Sequence, residues 1–140
     1  MIRKIACLVT IGLIFSCLTA LGADSKKELS ALSAAEKWLL MVDSKKYVES
    51  WKETAEIFRN AVQPKQWVQS MQAVREPLGK LILRKVKTKG YKSSLPGAPD
   101  GEYVVIEFET SFENKNVAVE TVTPMMDKDG VWRVSGYYIK

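Results

Sequence analysis

An α+β domain, with three helices laid on a four-stranded antiparallel sheet, is the architecture that this sequence predicts. Three observations lead there. Apolar residues recur at three- and four-residue steps from Glu28 to Val74, then at two-residue steps from Leu81 to Ile139. Short links rich in turn-forming residues join the alternating runs, which suits a meander of neighbouring strands. Helices that precede the strands, rather than alternate with them, belong together on one sheet face.

In chain order, the first segment is for export. Arg3 and Lys4 precede an uncharged apolar run, Ile5 to Leu21, and Ala20-Leu21-Gly22 places small residues where a signal peptidase reads. The layout predicts a signal peptide over 1–22 and one domain over 23–140. Two alternatives stand beside it. One is a membrane anchor, for which the run is slightly short. The other is a lipoprotein attached at Cys17, where Phe15 is bulkier than the usual lipoprotein pattern accepts. Cleavage implies a periplasmic or secreted protein with no membrane span. It also removes Cys7 and Cys17, the only two cysteines, so the exported domain would stand on its hydrophobic core without disulfides.

The first helix is predicted over Glu28 to Val42, where Leu32, Ala35, Trp38, Leu39 and Val42 form one face. Asp43-Ser44 interrupts it. Tyr47, Trp51, Ala55, Phe58 and Val62 repeat the spacing and predict a second helix over about Lys45 to Ala61. Pro64 opens a third, at a first position where its missing N–H costs nothing, with the stripe Trp67, Met71 and Val74. Pro77 and Gly79 end it.

Four strands follow. Leu81 to Lys87 is the first, and on it Lys85, Lys87 and Lys89 are expected to share a face and discourage edge pairing. After the tight loop Pro96 to Gly101, Glu102 to Phe112 alternates with Val104, Ile106, Phe108 and Phe112 inward and Tyr103, Glu107 and Glu109 outward. Val117 to Met126 and Val131 to Ile139 complete the sheet across an Asp129-Gly130 hairpin signal.

Composition then removes whole classes of chemistry. With no histidine in 140 residues, Ser-His-Asp and Cys-His catalysis and every His-ligated metal are excluded within this chain. The formal net charge is +5, or +3 once Arg3 and Lys4 leave, with no basic block interleaved with aromatics, so nucleic acid is not an expected partner. No phosphate-cradling loop, dinucleotide fingerprint or N-glycosylation acceptor occurs. No cofactor, metal site or catalytic residue is assigned.

What remains is weaker. Trp38, Trp51, Phe58, Trp67, Phe108 and Trp132 face inward and either pack as core or line an apolar pocket for a lipid-like small molecule or a peptide end. Glu107 and Glu109, with Glu120 on the next strand, could bring carboxylates together as a small enzyme's acid and base; a solvated outer face is the simpler reading. Asp100, in the exposed loop, is a further carboxylate for that alternative. Arg75 and Glu76 could bind an anion or pair with each other, and capping the helix end is the simpler role for Arg75.

The order of helices and then sheet resembles the cystatin-like cone, also called the nuclear-transport-factor-2-like fold. More specifically, Ala35-Glu36-Lys37-Trp38-Leu39, Gln66-Trp67, Val74-Arg75-x-Pro77-Leu78-Gly79, Leu95-Pro96-Gly97-Ala98-Pro99-Asp100-Gly101, Glu120-Thr121-Val122-Thr123-Pro124 and Trp132-Arg133-Val134 occur in order. Together they resemble an uncharacterised bacterial family catalogued as domain of unknown function 4019. The resemblance implies a small exported protein with no assigned activity, and supplies no catalytic residues. The expected role is a non-catalytic binding or interaction module of the cell envelope, for an apolar small molecule or an envelope protein. The cone analogy adds a homodimer through the outer sheet face, covering Tyr103, Glu107 and Glu109.

Overall fold

The computed structural model describes residues 15–140, with side chains from Gly22 onward. The expected signal peptide, with Cys7 and the Cys17 side chain, lies outside these described residues, apart from the backbone of 15–22, which begins the first helix.

Helix α1 (Phe15–Asp43) begins ahead of the predicted Glu28 and buries Ala35, Trp38, Leu39 and Val42 of the predicted face; Leu32 is only half-buried, and Ala31 is buried in addition. The helix closes with a pair of reversed bonds. The Lys46 N–H donates to the Met41 carbonyl at 2.9 Å and the Lys45 N–H to that of Val42 at 3.0 Å. This Schellman closure needs a left-handed residue, normally glycine, where Lys45 sits with φ of +60°.

The predicted second helix is two. α2 (Tyr47–Lys52) and α3 (Glu56–Ala61) are separated because the chain between them docks on the sheet. Thr54 bridges Val134, and the Ala55 N–H donates to the Val134 carbonyl at 2.8 Å. Thr54 also turns its own hydroxyl back to the Trp51 carbonyl at 2.6 Å, a local bond that competes with helix continuation. Arg59 Nη1 donates to the carbonyls of Thr54 and Lys52 near the break. Apolar spacing persists through the break because both pieces face one core, so periodicity alone reads them as continuous.

α4 (Pro64–Val74) starts at its proline as expected and buries Trp67 and Met71. Val74, predicted for the same stripe, is 49% exposed, and Val68 packs against the core in its place. A 3-10 turn over Glu76–Leu78 then leads to Gly79, whose φ is +76°. A Cβ at Gly79 would also stand 2.9 Å from Glu113 Cβ, so space and backbone both favour glycine there.

The sheet is the predicted meander: β1 (Leu81–Lys92), β2 (Tyr103–Phe112), β3 (Lys115–Met126) and β4 (Trp132–Ile139), antiparallel in the order 1-2-3-4. Val104, Ile106, Phe108 and Phe112 are buried on the helix side as expected. Register shifts interrupt every ladder, and such bulges bend and twist a sheet. One of them corrects the lysine reading. The shift between Val86 and Thr88 pairs Lys85 with Glu109 on the outer face but Lys89 with Ile106 on the inner one. Tyr103 departs from expectation too. It points outward yet is buried, because its own loop folds over it and the hydroxyl donates to the Pro99 carbonyl at 2.6 Å. It is therefore withdrawn from any surface a partner could cover.

Replacing Lys45 by glycine relieves a left-handed side chain at the end of α1. Urea unfolding of Lys45→Gly is expected to show a gain of about 1 kcal/mol, with an unchanged denaturant slope.

Candidate functional site

The inward aromatics meet in two ways. Trp38, Trp67 and Phe58, with Tyr137, form one cluster, with ring centroids 5.8 Å apart for Trp38–Trp67, 5.4 Å for Phe58–Trp67 and 5.2 Å for Trp38–Tyr137. Buried Ser50 organises its polar edge. Trp38 Nε1 donates to the Ser50 carbonyl at 2.8 Å and Trp67 Nε1 to Ser50 Oγ at 3.0 Å, while that hydroxyl donates to the Tyr47 carbonyl at 2.7 Å. Phe108 lies wholly in the core. Trp51 and Trp132 sit at its margin, and Trp51 Nε1 donates to the Val62 carbonyl at 2.8 Å.

Beside the aromatics lies a charged network that periodicity did not disclose. Glu120 is fully buried on the inner face, opposite Phe108, and so is not beside Glu107 and Glu109, which point outward. Its Oε1 accepts from Arg84 Nε at 2.7 Å and Thr110 Oγ1 at 2.6 Å; its Oε2 accepts from Arg84 Nη2 at 3.1 Å and from the Tyr137 hydroxyl. Arg84 reaches on to Asp43 at the end of α1, with Nη1 at 2.7 Å from Oδ2 and Nη2 at 3.0 Å from Oδ1. Arg75 pairs with Asp43 at 3.3 Å, not with Glu76, donates to the Gly79 carbonyl at 2.6 Å, and lies over the Phe112 ring at 4.4 Å.

The electrostatics follow from burial and pairing. Burial pulls the Arg84 guanidinium's pKa down, but the bonds to Asp43 and Glu120 outweigh it and hold the group above its ordinary value. Burial, reinforced by the Glu120 carboxylate, pushes the Tyr137 hydroxyl well above its usual range, so it remains a donor. Every oxygen of Glu120 and Asp43 accepts from a guanidinium or a hydroxyl. This chemistry locks elements together. Among the described residues, no three Cys, Asp or Glu side chains gather as metal ligands.

Several grooves flank the core, and two of them take in the predicted aromatics. The first, of about 350 Å³, runs between α1 and the start of β4, over Trp38, Met41, Trp132 and Val134, with Lys37 and Arg133 also among its lining. The second, of about 390 Å³, lies between α3 and the Leu95–Ala98 loop and takes in Phe58 and Tyr103. Of the six sequence-predicted aromatics, Trp38 and Trp132 thus line one groove and Phe58 the other. Asp100 lies in neither lining; its loop serves to cover Tyr103. A charge at an inward strand position was the available sign of the network. It was masked on β3, where Val117, Val119 and Thr121 make the opposite face equally apolar.

An open meander under a helical layer, fastened by a buried Arg–carboxylate network and flanked by grooves, defines an α+β domain. The chain belongs to the protein family of unknown function DUF4019, whose model matches residues 34–137. No curated protein and no solved structure matches it. Among the described residues, no helix is long and apolar enough to cross a membrane.

Removing one partner of a buried ion network strands the others. Glu120→Ala is expected to cost about 3–5 kcal/mol in urea unfolding, and Tyr137→Phe about 2 kcal/mol, because only one bond to a charged acceptor goes. The raised Tyr137 pKa also carries a sign: the folded state keeps a proton that the unfolded state loses, so stability should fall as the pH rises past 10.0.

At the β3–β4 hairpin, bonds from Arg133, with a smaller contribution from the Val131 N–H, pull Asp129 down to about 2 from an ordinary 3.8. That pair therefore stabilises the fold above the ordinary value and ceases to do so as the pH falls through about 2. Carboxyl-carbon NMR should show the low midpoint, and Arg133→Gln should return it towards 3.8.

Proposed function

We propose that the protein is exported by the 1–22 signal and works in the periplasm or outside the cell as a non-catalytic binding module. Its ligand is a small, mostly apolar molecule held in the groove between α1 and β4. One observation carries this reading: a recess of about 350 Å³ whose buried surfaces are Trp38 and Val134, with half-buried Trp132 and Met41 beside them. That volume and an apolar base with a few polar groups are the anatomy of small-molecule sites. Lys37, Glu53 and Arg133 at the same groove would meet the ligand's polar end. Saturation of Asp43 and Glu120 by their arginines favours binding over acid–base catalysis.

For a protein partner, the outer sheet face is the surface we propose, with a second copy as occupant. Leu83 and Tyr138 are each more than half exposed there, and Lys85 and Glu109 form an exposed ion pair at 3.3 Å.

Native mass spectrometry of protein extracted gently from its own cell envelope tests these readings together. The expected species begins near Ala23 and retains a small molecule, which Trp132→Ala releases. A heavier species starting at Cys17 would establish the lipoprotein instead. A bare mass, unchanged by Trp132→Ala, would sink the ligand reading, and a monomer at all concentrations would sink the dimer.

A further inference from the structure

A third recess, of about 260 Å³, lies where the end of α1 meets the turn after α4, and shares no lining residue with the α1–β4 groove. Three independent irregularities meet there. Arg75 Nε and the Tyr47 hydroxyl are buried polar atoms with no hydrogen-bond partner, and both residues line the recess. Such orphaned groups are rare in folded proteins and destabilise them unless something satisfies them. Lys45, on the same lining, is held at φ +60° where glycine would be relaxed, and backbone strain of this kind collects at binding sites. Lys45, Lys80, Glu76 and Glu113 all line the recess, and none forms an ion pair among the described residues.

We propose that this recess binds a small zwitterion of the amino-acid class, its carboxylate on Arg75 Nε and the Tyr47 hydroxyl and its ammonium facing Glu76 and Glu113. The donors decide the first half. A guanidinium Nε–H can only donate, and burial, with the Glu76 carboxylate nearby, raises the Tyr47 hydroxyl's pKa so that it too remains a donor. Two unsatisfied donors on one lining suit an acceptor with two oxygens. The rest of Arg75 is already committed, to the Gly79 carbonyl and to Asp43, which leaves Nε–H as its free donor.

The unpaired charges decide the second half. Two ammoniums, Lys45 and Lys80, and two carboxylates, Glu76 and Glu113, leave the lining with no net attraction for a multiply charged anion. A ligand carrying both signs can use all four. Both orphaned atoms are closed to solvent, so binding moves the Arg75 or Tyr47 side chain slightly to reach them. A free amino acid of alanine's size fits the volume.

The test is titration of ¹⁵N-labelled protein with L-alanine, acetate and methylammonium, reading the Arg75 Nε–H resonance. Alanine should saturate it, and acetate should bind at least about ten-fold more weakly, as expected when one charged contact is lost. Tyr47→Phe separates binding from folding, because the hydroxyl it removes makes no bond in the structure. That variant should keep or raise its thermal midpoint while weakening alanine about ten-fold. No saturable shift up to roughly 50 mM, a ceiling set by how little binding energy so small a ligand supplies, would leave the recess to water and overturn the proposal. Equal affinity for acetate and alanine, or alanine binding indifferent to Tyr47→Phe, would overturn it equally.

Discussion

Asp43, Arg75, Arg84 and Glu120 form the constraint on which the rest of the structure depends. Charges taken out of water are tolerated only when each finds its partner. Here those partners come from α1, the end of α4, β1 and β3, with Thr110 of β2 and Tyr137 of β4 completing the shell of Glu120. All four strands and two helices must therefore be in place before the charges are satisfied. A one-residue slip of β3 would turn Glu120 outward and leave Arg84 buried against Val119 or Thr121, so the network enforces register as well as packing. Asp43 shows the same dependence. A carboxylate in the last turn of a helix opposes the dipole, and two guanidiniums hold it there.

The helical layer depends on the sheet in a second way. α2 and α3 are too short to persist in water, and their attachment comes from packing and from the bonds between Thr54–Ala55 and Val134. Ser50 adds the complementary device, drawing the indoles of Trp38 and Trp67 to one buried point. Docking at Val134 brings Glu53 and the start of β4 alongside α1, so the break in the helix also shapes the groove. Local structure, packing and recessed surface are one arrangement here.

α1 links the two recesses. Its C-terminal half, from Ser30 to Met41, lines the groove, and its last residue, Asp43, lines the recess shared with Lys45. Every member of the ion network falls within the matched family region, residues 34–137. The recess at the end of α1 lies wholly within that region, and so does the lining of the α1–β4 groove apart from Ser30 and Ser33.

Much of this was legible in the sequence, and the boundary has a physical cause. Period, turn residues and Pro and Gly placement act through neighbours along the chain. They sufficed for α1, α4, the four strands, their meander order and the inward set on β2. The same is true of the aromatics as a group, since apolar bulk must be buried somewhere. Interactions between distant residues were not written in any local pattern. The break at Thr54 exists because Val134 is there to receive it. The bulge after Val86 sends Lys89 to the other face, and Tyr103 is covered by a loop that happens to return over it. Above all, Glu120 reads as a carboxylate beside Glu107 and Glu109, and Arg84 carries no signal of its own, until the sheet and α1 close around them. Sequence alone determined which residues want burial and with what period. Tertiary structure decided which charges are buried with them, because a charge's cost depends on partners that only the folded chain brings near.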